Sequence, residues 1–254
     1  MWGVLYSLQA QEGYFYTIEE ALATPENVMV LDLSSKKISE LPVGLKACKH
    51  LKTLNLNNNQ FTTLPSFLEA FEELETLLLA NNPIKRFPKV VLRLSQLRNL
   101  SLADCPLRCY PQGLARLQRL EWLNLWRASL RRLPLVVYRL SNLKTITAVG
   151  ARLRFISPKI EQLKQLEVLE LSQNRLRKLP KALGELSNLK KLYLSDNQLT
   201  NFPVEWTLWE ELEILDLEAN QLEELPFEFC YYIGPVALNL SDNQLIALPQ
   251  ACGA

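Results

Sequence analysis

Apolar residues recur along this chain in a pattern that repeats every 23 residues. In one copy they are Leu189, Leu192 and Leu194, and they are followed by Asn197 and a further apolar residue, Leu199. The alternation of leucines with polar neighbours indicates a β-strand with one buried face. The pattern runs from about residue 28 to residue 250 without insertion or deletion. A period of about 20 to 50 residues predicts stacked structural units rather than a globular core.

A proline follows each strand pattern at a constant distance, with one exception. Ser157 occupies the one position in the series that lacks a proline, and Pro158 stands beside it. The series is Pro42, Pro65, Pro88, Pro111, Pro134, Pro180, Pro203, Pro226 and Pro249. After each proline, apolar residues three apart, such as Leu183 and Leu186, predict a short helix or a 3₁₀ turn.

The repeat, L-x-x-L-x-L-x-x-N-x-L followed by L-P, resembles the leucine-rich repeat family in its 23-residue form, which Ras-group-like and bacterial proteins share. The resemblance implies an α/β fold, a leucine-rich repeat solenoid (horseshoe) with a concave parallel β-sheet and convex short helices or 3₁₀ turns. It also implies a protein or peptide partner. The physical argument agrees, because one unit cannot bury its own leucines and must stack on its neighbours.

We expect three segments along the chain. Residues 1–13 are an apolar lead-in, which is either the remnant of a signal segment or an ordinary start. Residues 14–27 form an N-terminal helical cap, because Thr17 and Glu20 have the spacing of a capping box and Pro25 ends the helix. Residues 28–254 hold ten tandem repeats, the last one incomplete. An end-to-end contact through this uncapped C-terminus is one interpretation of the incomplete repeat.

Composition removes several classes of function. The net charge of +1 argues against a nucleic-acid binder, and no apolar run is long enough for a membrane span. A single histidine, His50, leaves no pair of histidines for a metal, and neither a C-x-x-C nor a phosphate-binding glycine motif occurs. We therefore predict no enzyme activity, no metal and no cofactor. Five cysteines without framework spacing favour reduced thiols and a cytoplasmic location, with export as the alternative.

Four repeats depart from the polar position of the motif. The asparagine is replaced by Lys36 in the first repeat and by Cys105, Ala128 and Ala151 in three consecutive central repeats. The sixth repeat also has Ala148 in place of a strand leucine. Alanine supplies no hydrogen bond, so backbone groups near 128 and 151 need another partner. Two interpretations stay open: sequence drift that the neighbouring repeats tolerate, and a local change of curvature or looseness.

Aromatic and cationic side chains in the fifth repeat indicate a partner site. Strand alternation places Trp122 and Trp126 on the open face, whereas Trp206 and Trp209 occupy leucine positions and belong to the core. Exposed tryptophan beside arginine is typical of interaction hot spots. The alternative is that the two tryptophans stack and fill the concave curve. The candidate partner-binding residues are Trp122, Trp126, Arg127, Asn99, Asp104, Asn124, Thr145 and Val149, with Lys191 and Tyr193 as a weaker second patch.

One column of the repeat is basic in five consecutive copies. We call it the basic edge; it consists of Lys85, Arg108, Arg131, Arg154 and Arg177. Like charges about 4.8 Å apart repel one another, so such uniformity favours a steering role for an acidic partner. The alternative is a solvated flank whose arginine stems cover apolar surface.

These observations predict a non-enzymatic protein–protein recognition scaffold that binds a partner on the concave face around repeats 4–6. One alternative is a substrate-recognition arm of a larger enzyme or signalling protein, such as a kinase, GTPase or ligase. The other is a polyanion binder that uses the basic edge.

Overall fold

The computed structural model describes residues 12–231, 237–247 and 249, and the chain divides between Cys109 and Tyr110 into two compact units. Residues 1–11 of the lead-in, and with them the question of a signal segment, lie outside the described residues. Residues 250–254, and with them the predicted end-to-end contact, lie outside them too. Within the described residues the first unit has five β-strands, β1 Tyr14–Phe15, β2 Val30–Asp32, β3 Thr53–Asn55, β4 Thr76–Leu78 and β5 Asn99–Ser101. The second has six, β6 Trp122–Asn124, β7 Thr145–Thr147, β8 Val168–Glu170, β9 Lys191–Tyr193, β10 Ile214–Asp216 and β11 Ala237–Asn239.

Within each unit the strands are parallel and pair in chain order. The register is constant, so that Leu169 of β8 lies opposite Leu192 of β9, and Leu192 lies opposite Leu215 of β10. All three leucines are fully buried, while the strand residues on either side of each are half-buried. The alternation that predicted strands is therefore confirmed, and the leucines form one continuous core per unit.

Short helices lie between the strands. In the described part of the chain one of them is an α-helix, α1 (Ile18–Ala23), which begins after Thr17. The Thr17 hydroxyl accepts the Glu20 N–H at 3.2 Å. The others are 3₁₀ helices at Pro25–Asn27, Val43–Ala47, Ser66–Ala70, Lys89–Arg93, Gln112–Arg116, Val137–Arg139, Pro158–Gln162, Lys181–Glu185, Val204–Leu208 and Phe227–Tyr231. A proline directly precedes seven of these ten helices, and Pro25 and Pro158 begin two others. Proline suits the start of a helix because its φ is fixed and its missing N–H would have no partner there. The leucine-rich repeat architecture predicted from the sequence is confirmed.

The prediction that Trp206 and Trp209 belong to the core is confirmed. Both indoles are almost fully buried, and their rings stack with centroids 5.3 Å apart. Trp209 Nε1 donates to the Leu183 carbonyl at 3.2 Å, which satisfies its one polar atom. Phe202 packs edge-on against Trp206 at 5.1 Å.

The asparagine of the motif satisfies the backbone of two adjacent turns. Asn197 Nδ2 lies 3.0 Å from the carbonyl oxygens of Leu171 and Leu194 and 3.2 Å from that of Ser195. Its Oδ1 accepts the Leu176 N–H at 3.0 Å. The same contacts recur at Asn174 and Asn220, so that each buried amide pairs backbone groups that no strand or helix reaches.

Where alanine replaces asparagine at position 151, a backbone carbonyl takes the place of the missing amide oxygen. In the asparagine repeats, Oδ1 accepts the N–H of the residue 21 positions earlier, as Asn174 does from Leu153. The equivalent Leu130 N–H donates instead to the Ala151 carbonyl at 2.7 Å. Arg152 has φ of 62° and Gly150 has φ of 63°, so this turn contains two left-handed residues. At Ala128, the N–H donates to the Leu125 carbonyl at 3.1 Å. The turn at Ala151 therefore differs from the asparagine-paired turns in its backbone conformation.

Cysteine at this position is a partial substitute. Cys105 Sγ lies 3.2 Å from the Leu79 carbonyl, one of the contacts that an asparagine amide would make. Burial raises the pKa of the Cys105 thiol to about 11, so the group stays protonated and donates. Burial also raises the pKa of the Cys48 thiol, whereas Cys109 is exposed. Among the described residues these three cysteines are free thiols.

The missing proline at 157 has a structural cause. Ser157 has φ of −72° and ψ of 145°, a conformation that proline adopts at the equivalent positions. Its N–H donates to the hydroxyl of Tyr138 at 3.3 Å, a bond that proline could not make. Tyr138 is buried in the preceding repeat, and a buried hydroxyl needs a hydrogen-bond partner. The same burial raises the pKa of its phenol. The Ser157 hydroxyl in turn accepts the Lys159 N–H at 3.3 Å.

Replacing a buried amide should destabilise the second unit. We expect Asn197→Ala to lower the free energy of unfolding by roughly 2 to 4 kcal/mol, because several buried backbone groups lose their partner. The control is Asn188→Ala, since Asn188 is exposed and makes one bond, 2.7 Å long, to the Lys164 carbonyl. Its cost should be about 1 kcal/mol or less. Urea denaturation measures both, and equal losses would contradict the role given to Asn197.

A double-mutant cycle tests the pair of Tyr138 and Ser157. Tyr138→Phe should cost about 1 to 2 kcal/mol in the natural chain, because the Ser157 N–H is left unpaired. In the Ser157→Pro background there is no N–H to leave unpaired, so the same change should cost less than about 0.5 kcal/mol. If thermal and urea unfolding give the same cost in both backgrounds, the hydrogen bond does not explain the loss of proline.

Candidate functional site

The aromatic residues of the fifth repeat lie on the exposed face of the sheet in the second unit. Trp122 and Asn124 of β6 are half-buried, whereas Leu123 between them is fully buried. Trp126 follows the strand and is half-buried too, and its N–H donates to Asn124 Oδ1 at 2.9 Å. A strand of three residues and the turn after it therefore hold both indoles on one face.

A cation lies over one of these rings. The Arg127 guanidinium carbon is 4.2 Å from the centroid of the Trp126 ring, within the range of a cation–π contact. Arg127 is exposed and has φ of 53°, a left-handed conformation that favours glycine, asparagine or aspartate. Asp196 and Asp242 hold the equivalent turn position in later repeats. Gln173 and Ala219 hold it in two others, so the left-handed conformation is a regular feature of the repeat and arginine is one of its less favoured occupants.

The next strand completes this surface. Trp122 lies opposite Thr145 of β7 in register, and the Arg127 N–H donates to the Val149 carbonyl at 2.8 Å. Gly150 follows Val149, and a Cβ added there would lie 3.5 Å from Arg127 Cγ. The structure thus brings together Trp122, Asn124, Trp126, Arg127, Thr145 and Val149, which we call the tryptophan surface.

The weaker patch of Lys191 and Tyr193 is separate from the tryptophan surface. Both residues are on β9, and β7 and β8 lie between it and β6. At about 4.8 Å between strands, this is a separation of roughly 14 Å.

Sequence reasoning missed the carboxylate between these two patches. Glu170 of β8 is half-buried and accepts from the Ser172 hydroxyl at 2.7 Å. Reading the column Asn124, Thr147, Glu170, Tyr193 would have found it.

Two further candidate residues belong to the first unit. Asn99 of β5 donates to the Thr76 hydroxyl at 2.9 Å, and Asp104 is exposed with φ of 51°. Asn99 is half-buried on its strand and Asp104 lies in the turn that follows, and the role of both stays a prediction.

In the part of the chain that the structure describes, the residues of the basic edge differ from many other cations in having no carboxylate partner. Elsewhere a cation often pairs with a carboxylate one repeat away: Lys144 Nζ lies 2.9 Å from Glu121 Oε2, and Lys190 Nζ lies 3.2 Å from Glu167 Oε2. All five residues of the basic edge are exposed. Across residues 12–231, 237–247 and 249, none of the five pairs with a carboxylate.

No group of acidic, histidine or cysteine side chains that could hold a metal ion occurs in the described part of the chain. His50 is exposed, and its Nδ1 lies 3.2 Å from Glu73 Oε1. No helix of the described ranges is long and apolar enough to cross a bilayer.

Parallel strands in chain order, joined by 3₁₀ helices and asparagine-paired turns, define a solenoid of the binding-scaffold class, which is typically non-enzymatic. The family model for the leucine rich repeat matches residues 26–84, 141–199 and 164–222, more than half of the chain. The chain therefore belongs to the leucine-rich repeat family.

Solved structures of this family resemble the chain over most of its length. A leucine-rich repeat protein of Leptospira interrogans shares 25% identity, with a TM-score of 0.62 over 94% of this chain and 85% of that one. The Arabidopsis receptor kinase HAESA, in complex with the peptide hormone IDA and the co-receptor SERK1, shares 29% identity with a TM-score of 0.73 over 91% of this chain and 41% of that one.

The ectodomain of the Arabidopsis thaliana membrane receptor kinase GASSHO1/SCHENGEN3, in complex with CASPARIAN STRIP INTEGRITY FACTOR 2, shares 32% identity, with a TM-score of 0.69 over 91% of this chain. The chain spans 29% of that structure, so it corresponds to less than half of either plant receptor. No curated protein matches the sequence significantly.

Substituting Arg127 tests whether this residue stabilises the fold or is available for binding. We expect Arg127→Asn to change the free energy of unfolding by less than about 1 kcal/mol, because relief at the left-handed backbone offsets the lost cation–π contact. Ala219→Asn is the matched control, since Ala219 holds the same turn position with φ of 52°. It should stabilise the protein by a few tenths to about 1 kcal/mol. A loss above roughly 2 kcal/mol for Arg127→Asn in urea denaturation would make Arg127 a structural residue.

Proposed function

We propose that this chain is a non-enzymatic protein-recognition scaffold whose partner lies on the exposed sheet face of the second unit, around repeats 5 and 6. The observation that favours this site most is the pair of half-buried indoles, Trp122 and Trp126, on one face of the sheet, with Arg127 over the second ring. Tryptophan and arginine dominate interface hot spots because they combine a large apolar area with a polar or charged group.

The position of the indoles supports binding over a purely internal role. Both remain partly exposed, whereas Trp206 and Trp209 of the same unit are almost fully buried and stack on each other. A partner would remove the remaining apolar area of Trp122 and Trp126 from water, and each anchor would contribute about 2 kcal/mol or more to binding. Arg127 would pair with a carboxylate of the partner or keep its place on the Trp126 ring.

The plant receptor structures support a peptide or protein as the ligand class. HAESA is in complex with a peptide hormone and a co-receptor, and the GASSHO1/SCHENGEN3 ectodomain with CASPARIAN STRIP INTEGRITY FACTOR 2. For this chain the partner itself is a proposal, as is the steering of an acidic partner by the unpaired basic edge.

The double variant Trp122→Ala/Trp126→Ala tests the site. Affinity capture from host lysate and culture medium with wild-type and variant baits should yield a protein retained only by wild type. Its affinity, measured afterwards with purified proteins, should fall at least about a hundredfold in the variant.

The control for this test is Leu135→Ala/Val43→Ala, which removes two exposed apolar side chains outside the sheet. It should retain the partner, and the free energy of unfolding of the tryptophan variant should fall by less than about 2 kcal/mol. A sharp drop in melting temperature would instead make the tryptophans structural, and equal retention by both baits would place binding elsewhere.

A further inference from the structure

Three arginines of the second unit converge on a cleft beside the sheet. The cleft has a volume of about 420 Å³ and is lined by Arg154, Arg175, Arg177 and Gln198. Backbone pairing explains the convergence: the Arg175 N–H donates to the Leu153 carbonyl at 2.8 Å, and the Gln198 N–H donates to the Leu176 carbonyl at 2.9 Å. Each pair places the turn of one repeat against the turn of the next.

The charge of this cleft is uncompensated. Arg177 Nε donates to Gln198 Oε1 at 3.3 Å, which holds one guanidinium in place without neutralising it. Within the described ranges, the side chains of Arg154 and Arg175 have neither a hydrogen bond nor an ion pair. Cations of other rows in this unit, such as Lys144 and Lys190, do pair with a carboxylate. Three clustered positive charges are unfavourable unless an anion joins them.

We propose that this cleft, which we call the arginine cleft, binds a phosphorylated side chain of a protein partner. A phosphate monoester offers about two negative charges and three acceptor oxygens, and several guanidinium groups can share these as charge-assisted hydrogen bonds. A carboxylate has one charge and two oxygens, so it would leave most of the cleft unneutralised. Arginine clusters recognise phosphorylated segments in this way because the planar guanidinium donates in pairs.

A single phosphate on a protein fits the unit better than a long polyanion. The ninth repeat of the same unit is acidic, with Glu213, Asp216, Glu218, Glu223 and Glu224. An extended nucleic acid along the stack would approach these carboxylates, and the net charge of +1 offers no general attraction. The arginine cleft rests on the proposed function only in taking the partner to be a protein, and its residues are not those of the tryptophan surface.

The test uses an array of random-sequence peptides with a central phosphoserine, a phosphatase-treated copy of it, inorganic phosphate and a single-stranded oligonucleotide. The peptides that bind most tightly are then measured by fluorescence anisotropy at physiological salt. We expect them to bind at least about tenfold tighter than their dephosphorylated copies. Arg154→Gln/Arg175→Gln should lose that difference. Arg116→Gln/Arg139→Gln, which removes the same charge from exposed residues of the helical side, should keep it.

Three outcomes would overturn the arginine cleft as a phosphopeptide site. They are equal binding of phosphorylated and dephosphorylated peptides, equal losses in the two double variants, and an oligonucleotide or free phosphate that binds as tightly as the best phosphopeptide. The same array probed with Trp122→Ala/Trp126→Ala separates the two proposals. Phosphopeptide binding that survives in this variant supports the arginine cleft whether or not the tryptophan surface captures a partner.

Discussion

Burial of leucine against the neighbouring repeat is the interaction on which this structure depends. Leu169, Leu192 and Leu215 lie side by side on three strands and are fully buried, although each repeat supplies a strand of only three residues. Burying such a side chain contributes about 1.5 to 3 kcal/mol, which a single repeat could not obtain alone. The 23-residue spacing is kept because a slip by one residue would turn every leucine of a strand to the solvent.

A tight stack of this kind creates a second requirement, the pairing of backbone groups in the turns. Asn197 meets it with one side chain that reaches the turns of two repeats. The repeats without asparagine meet it locally, through the backbone at Ala151 and through the thiol of Cys105. Tyr138 and Ser157 follow the same rule, since a buried hydroxyl takes the N–H that proline would have removed. These departures from the motif are alternative solutions to one physical problem.

Residues that neither bury apolar area nor pair backbone groups in the turns are free to differ between repeats, and they form the surface. Some cations are neutralised by a carboxylate about one repeat away, as Lys144 is by Glu121. Such exposed pairs contribute little to stability. The basic edge and the tryptophan surface do not follow this pattern. Neither is fully explained by burial, by backbone pairing or by local charge balance, which is why we propose binding at both.

The sequence by itself determined the architecture, because the 23-residue period and the alternation within the strands are local patterns that recur in each repeat. It also separated Trp206 and Trp209, on leucine positions, from Trp122 and Trp126, on exposed ones. Only the tertiary structure decided which side chains of different repeats meet. The bond from Ser157 to Tyr138 and the cleft of Arg154, Arg175 and Arg177 join residues about one repeat apart. Even the contact of Arg127 with Trp126 depends on a left-handed turn. Such contacts follow from rotamers and turn conformations, which the hydrophobic period does not specify.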